Sequence, residues 1–357
     1  MSRRVYLHIG APKTGTTYLQ DRLSLNAKAL AEHGVHFPSK SPLVSPGLFH
    51  FRAALDLLDQ DWGGKPGHAR GSWDALVRKV RRLSGTVVIS HEILAPATPA
   101  KVAKAKQDLA GAELHIVYSA RDLGRQLPAA WQESIKQGRK WNYRRYLNRV
   151  EHRRPWFARA FDLPAVLSTW SAGLAPDQVH VVTVPHQRGP ELWLRFCAAF
   201  GIDPAWAPED STRHNESLGV AETQLIRQLN RRMDRVTRRE ASFDELIRGM
   251  LAQDRLVQRR SPPLLLPPRM HPWATGEADR WIDWIKGSGV DVVGELDELY
   301  PAPPVPEEEW IDPDRVGPKK QLAAALDALS AMTREAARRP DPDDALVARI
   351  KRATRRD

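Results

Sequence analysis

Residues 8–19, His8-Ile9-Gly10-Ala11-Pro12-Lys13-Thr14-Gly15-Thr16-Thr17-Tyr18-Leu19, decide how this chain is read. Before them Val5, Tyr6, Leu7 and Ile9 make an apolar run of strand length, and after them Leu19, Leu23, Ala27 and Leu30 recur at helical spacing. The stretch is therefore predicted to be a strand-to-helix loop. Gly10 and Gly15 permit backbone angles and a closeness of approach that a side chain forbids, so successive N–H groups can turn toward one anion at the helix start. Thr14, Thr16 and Thr17 add hydroxyls and Lys13 adds a charge. The spacing of Gly10 and Gly15 imitates the loop of nucleotide triphosphatases, but that motif needs Lys and then Ser/Thr directly after the second glycine. Thr16 and Thr17 stand there instead, and the cation has moved inside the loop to Lys13. There it can reach the bridging oxygen of a group leaving a 5′-phosphate, an arrangement suited to transfer of a terminal group without a magnesium clamp.

Further along, residues 34–38, 86–90, 113–118 and 179–184 read as strands, the second of them a continuous apolar run of the buried parallel kind. Helical patterns cover 49–60, 73–83, 100–109, 123–150 with a break near Gly138, and 156–172. Strands alternating with helices predict an α/β fold, a central parallel sheet covered on both faces, with ligands at the carboxyl ends of the strands. Three features noted independently fall at such ends: the loop, His91-Glu92 and Arg121. From Pro208 the pattern becomes mostly helical, Ser217 is placed to cap the stripe that starts at Val220, and 260–272 and 301–318 are Pro-rich. The expected organisation is an α/β core over 1–210, a helical extension over 211–300, and a Pro-rich segment with C-terminal helices over 301–357.

The chain has 357 residues, a formal charge of +11 and a single cysteine, Cys197, in an apolar run. One cysteine cannot form an internal disulfide, so a buried thiol and a reducing, cytoplasmic setting are expected. No apolar stretch reaches the length of a membrane span, and the N-terminus enters the first strand without a signal-type region. The excess of positive charge favours anionic partners. Its arginines are scattered among acidic residues and no nucleic-acid-binding motif appears, which favours a nucleotide over a nucleic acid. Oligomeric state leaves no signature in the sequence.

His91 stands where a strand meets a loop, and its near-neutral intrinsic pKa suits it to take a proton from an acceptor hydroxyl; Glu92 beside it is the alternative base. Arg121 follows the fourth strand and is suited to grip a phosphate by paired hydrogen bonds. Trp131, Trp141, Tyr143 and Trp156 are candidates for an acceptor platform, with core packing the favoured role for most of them.

Pro12 to Tyr18 resembles the Pro-Lys-Ser-Gly-Thr-Thr-Trp loop of the sulfotransferases that use 3′-phosphoadenosine 5′-phosphosulfate (PAPS), and the resemblance extends in outline over residues 4–201. It implies a P-loop-like sulfotransferase architecture, PAPS as donor, no required metal, and transfer of a sulfuryl group to a hydroxyl or amine of a carbohydrate, lipid or small molecule. It also implies that Lys13, Thr14, Gly15, Thr16 and Thr17 hold the 5′-phosphosulfate, that Tyr18 stacks on adenine, that His91 or Glu92 is the base, and that Arg121 holds the 3′-phosphate. The family's lysine two places before the histidine is Ile89 here, and its serine eight residues after the arginine is Ala129, leaving Gln126, Gln132 or Ser134 to supply that donor. The family's late Gly-rich element is not recognisable, although residues 213–217 lie at a plausible point for it. A nucleotide-dependent kinase with an altered loop and a non-catalytic nucleotide-binding relative are the alternatives.

Overall fold

The computed structural model describes residues 3–153, 156–211, 217–239, 243–259 and 261–339. They fall into two compact units, one of Met1–Trp131, Tyr143–His214 and Leu265–Trp310, the other of Gln132–Asn142, Asn215–Leu264 and Ile311–Asp357.

The first unit is an α/β layer structure. Strand β1 (Arg3–His8) leads through the loop to α1 (Thr16–Leu25), α2 (Ala27–Glu32) and the two-residue β2 (Val35–His36). Helices α3 (Pro46–Leu57) and α4 (Ser72–Val80) precede β3 (Gly85–Ser90), and α5 (Pro99–Asp108) precedes β4 (Glu113–Ala120). Then follow α6 (Leu123–Lys136), α7 (Tyr143–Glu151), α8 (Trp156–Phe161), α9 (Leu163–Ser171), β5 (Val179–Thr183) and α10 (Glu191–Phe200). The α/β sheet expected from the strand–helix alternation is present as six strands in the order β2-β3-β1-β4-β5-β6, every neighbouring pair parallel. From β1 the chain passes to the edge strand β2, returns inward to β3 beside β1, and then crosses to the other side of β1 with β4, so the switch point at which such sheets open a crevice lies between β1 and β4.

The central strands are buried on both faces. Val5, Leu7, Val87, Val88, Ile116, Val117, Val181 and Val182 are all inaccessible, as continuous apolar strands of a covered parallel sheet must be. One face packs Tyr6, Leu19, Leu23, Trp193, Phe196 and Phe200 into a single cluster that includes Cys197, whose thiol burial raises to a pKa of about 12. Trp131 and Tyr143 are fully buried and in ring contact, which gives them the core role.

The sixth strand, β6 (Asp291–Val293), follows the long helix His271–Ser288 and was not expected from the sequence. A strand of three residues among the four between Gly289 and Gly294 carries no readable alternation. It is fixed by tertiary contacts: Asp291 accepts a 2.7 Å hydrogen bond from His180 Nδ1, and just beyond it Glu298 accepts from the Thr183 hydroxyl at 2.7 Å and pairs with Arg195. The sheet unit therefore draws in residues 265–310, where the sequence grouped 211–300 apart from the core, because an edge strand is supplied from beyond the intervening helices.

In the second unit, α11 (Val220–Arg232) is followed by a π-helical stretch (Asp244–Arg255) and, after α12 (His271–Ser288) of the first unit, by α13 (Pro318–Arg338). Ser217 is not the cap of α11. Gly219 holds that position, and the first helical N–H, that of Val220, donates to Pro262 O at 2.9 Å. Buried Glu222 accepts hydrogen bonds from Arg259 Nε and Ser261 Oγ, both 2.6 Å.

Candidate functional site

The loop of residues 9–15 continues the sheet before it turns. Ile9 and Ala11 donate to Val117 O and Ser119 O of β4 at 3.0 and 2.7 Å, so the turn is anchored at the switch point. Lys13 and Gly15 both lie in the left-handed region, at φ 68° and 98°. A Cβ on Gly15 would stand 2.7 Å from Leu192 Cδ2 of α10, so a side chain there must displace the leucine tip as well as adopt an unfavourable φ. Gly15 is also the N-cap of α1 and supplies no side-chain cap, which leaves the first amides of that helix without an intrahelical acceptor.

Beneath the loop a chain of neutral hydrogen bonds has one consistent direction. Thr14 Oγ1 donates to Ala11 O at 2.5 Å, so its 2.5 Å contact with Ser119 Oγ requires Ser119 to donate. Ser119 then accepts from His8 Nε2 at 3.0 Å, and His8 Nδ1 accepts from Ser90 Oγ at 2.8 Å. Burial pushes His8 down to a pKa of about 3, which keeps the ring neutral as this order demands. The Thr14 side chain is thus spent on the loop itself. Thr16 Oγ1, by contrast, is buried with no hydrogen-bond partner. An orphaned hydroxyl at a helix start that also offers free amides is a fit for an anionic group.

Arg121 completes this edge of the loop by donating from Nη1 to Lys13 O at 3.0 Å. Its Nε is buried without a partner. Asp122, the neighbour expected to neutralise it, instead binds Arg125 and accepts the Arg125 backbone N–H at 2.9 Å. Burial, with Arg125 and Arg188 repelling and Asp122 only partly offsetting, lowers Arg121 to a pKa of about 10. A largely buried guanidinium in this state is costly unless an anion joins it. Of the residues considered as substitutes at the Ala129 position, Gln126 donates to Pro12 O at 2.9 Å and Gln132 donates to Leu218 O at 2.5 Å, so both amides are engaged within the protein.

His91 and Glu92 follow β3, and the His91 N–H bonds His8 O at 3.0 Å. Glu92 adjoins the loop: a Cβ on Gly10 would lie 3.1 Å from Glu92 Cα. His91 caps the short 3-10 turn Glu92–Leu94, its Nδ1 accepting from the Ile93 N–H at 3.3 Å. Burial, with small contributions from His50 and His8, lowers its pKa to about 3. The neutral ring therefore carries its proton on Nε2 and presents a donor there. Tyr18 packs against the apolar cluster, and its hydroxyl meets Arg22 Nη1 at 2.9 Å and Asp210 Oδ1 at 3.2 Å. Thr17 is exposed at the first turn of α1.

Of the site residues expected from sequence, Arg121 and Glu92 thus adjoin the loop and His91 is tied to the end of β1, while of the late element at 213–217 only Ser217 is among the described residues. His8, Ser90, Ser119 and Gln20, whose amide donates to Ser90 O at 2.7 Å, escaped sequence reading. They carry no motif; strand pairing brings His8, Ser90 and Ser119 together, and α1 carries Gln20 to them.

No helix among the described residues is long and apolar enough to cross a membrane, and none of their His, Cys, Asp and Glu side chains form a metal-binding group. The chain matches no protein-family model and no curated protein. Among solved structures, a sulfotransferase from Alicyclobacillus acidocaldarius is similar over 68% of this chain and 96% of its own length, at 18% identity and a TM-score of 0.36.

Proposed function

We propose that this chain is a sulfotransferase that moves a sulfuryl group from PAPS to an acceptor hydroxyl or amine. The observation that carries the reading is the pairing, at the switch point, of an orphaned Thr16 hydroxyl and uncapped helix amides with a buried Arg121 that lacks a neutralising carboxylate. These groups ask for an anion with charge at two places. PAPS supplies a transferable sulfuryl group and a second phosphate to meet them.

In this reading the α1 amides, Thr16 and Thr17 bind the 5′ end, Lys13 stabilises charge on the leaving oxygen, and Arg121 binds the 3′-phosphate with Arg188 nearby. Thr14 acts from below by bracing the loop, and Tyr18 borders the adenine side. Glu92 is the better placed base, since His91 offers a donor at Nε2 and spends Nδ1 on Ile93. The kinase alternative is disfavoured by Thr16, which stands where a triphosphatase loop needs its lysine.

The test is a titration of 3′-phosphoadenosine 5′-phosphate (PAP) monitored by thermal unfolding, because a ligand of the native state must raise Tm. A rise in wild type that is reduced in Lys13→Ala is expected. No rise at millimolar PAP, or a rise with ATP and magnesium only, would overturn the reading.

A further inference from the structure

The side of the crevice beyond His91 is aromatic, and its outer member is out in solvent. Phe51 of α3 lies 5.2 Å, centroid to centroid, from His91 and 5.1 Å from Trp62, which meets it edge-on. The His91 and Trp62 rings are therefore at most about 10 Å apart, within the reach of two successive aromatic contacts. Trp62 is 45% exposed, so part of its indole is open to solvent.

The exposure is built. Trp62 Nε1 donates to Gln60 Oε1 at 2.9 Å, its carbonyl oxygen accepts from His68 Nε2 at 3.1 Å, and Asp61 Oδ2 accepts the Gly67 N–H at 2.9 Å. Gly63 and Gly67 adopt φ of 77° and 79°, and a Cβ on Gly63 would press on the Phe51 ring at 3.1 Å. The loop thus spends its polar atoms on holding the indole beside Phe51, with its one N–H already used. What remains on offer is an apolar ring face on a loop that also carries the exposed polar side chains of Asp61 and Lys65.

We infer that Trp62 is an acceptor subsite for a saccharide, stacking the sugar ring next to the one that is sulfated beside Glu92. This rests on the sulfotransferase reading. A pyranose combines an apolar C–H face with a rim of hydroxyls, which matches an open aromatic face with a polar rim. A planar aryl acceptor is better served by an enclosed apolar slot. Separation from His91 by the width of Phe51 places the indole one ring away from the reacting hydroxyl, so the acceptor has at least two sugar rings.

The experiment measures transfer of labelled sulfate from PAPS to glucose, cellobiose, cellotriose, diacetylchitobiose, phenol and 2-naphthol, by wild type, Trp62→Ala and Trp62→Phe, with the PAP-induced Tm shift recorded for each. Expected is labelling of a saccharide of two or more rings, with KM raised about 10-fold or more in Trp62→Ala, kcat within about 2-fold, and recovery in Trp62→Phe. An unchanged PAP shift in Trp62→Ala shows that the donor site is intact. If wild type shows the PAP shift but labels no saccharide, prefers 2-naphthol, or keeps its KM in Trp62→Ala, the subsite is refuted while the sulfotransferase reading stands. Absence of the PAP shift in wild type refutes the sulfotransferase reading itself, and the subsite with it.

Discussion

At the scale of single residues, one backbone hydrogen bond sets the tautomer of His91 and so distinguishes it from neighbouring Glu92. His91 Nδ1 is bound by the Ile93 N–H, so its free nitrogen is a donor, and burial holds its pKa near 3. Glu92, beside Gly10, is the base we propose. Glu92→Gln is expected to lower turnover by about 100-fold or more while the PAP-induced Tm shift stays as in wild type. A Gln variant with normal turnover would remove Glu92 from the reaction. The residue types at 91 and 92 were legible in the sequence, but the choice between them was not, because tautomer preference depends on what the ring meets in space.

At the scale of elements, the strand-loop-helix unit works because α10 closes over it. The alternation of apolar runs and the Gly10-x4-Gly15 spacing were sufficient to place the loop, and β1 and α1 lie where they were expected. The tight contact between Gly15 and Leu192 joins segments remote in sequence, so no local pattern announces it. Gly15→Ala must adopt an unfavourable φ and displace Leu192, and a loss of about 1–3 kcal/mol in unfolding free energy is expected together with loss of PAP binding. Gly111→Ala is the control: its φ of 86° imposes the same kind of backbone cost, but nothing lies within 4 Å of the added Cβ. PAP binding should survive in that variant. Equal PAP binding by wild type and Gly15→Ala would show that the loop geometry is not what holds the ligand.

At the scale of the molecule, stability is tied to pH through histidines that the fold keeps neutral. His8 and His50 are fully buried, and desolvation lowers their pKa values to about 3 and about 4. In the unfolded chain both titrate near the ordinary histidine value of about 6.5. Below that pH the unfolded state binds protons that the folded state refuses, so stability is complete above about pH 6.5 and declines as pH falls toward the folded values. The two groups together approach a loss of about 3 kcal/mol per pH unit below pH 5.5. Urea midpoints at pH 7.5, 6.5 and 5.5 should therefore fall in that order, with the steeper decline below 6.5; equal midpoints would contradict the buried neutral state. By itself the sequence determined the α/β class, five of the six strands and the strand-to-helix loop, since each is written in local periodicity and in glycine positions that the backbone obeys wherever it is placed. Only the tertiary structure decided the rest. Parallel pairing aligns His8, Ser90 and Ser119 under the loop, long-range contacts recruit β6 to the sheet edge, and Asp122 turns to Arg125 rather than to Arg121. These depend on which side chains compete for the same partner once distant segments are packed together, and that competition is absent from any single stretch of the chain.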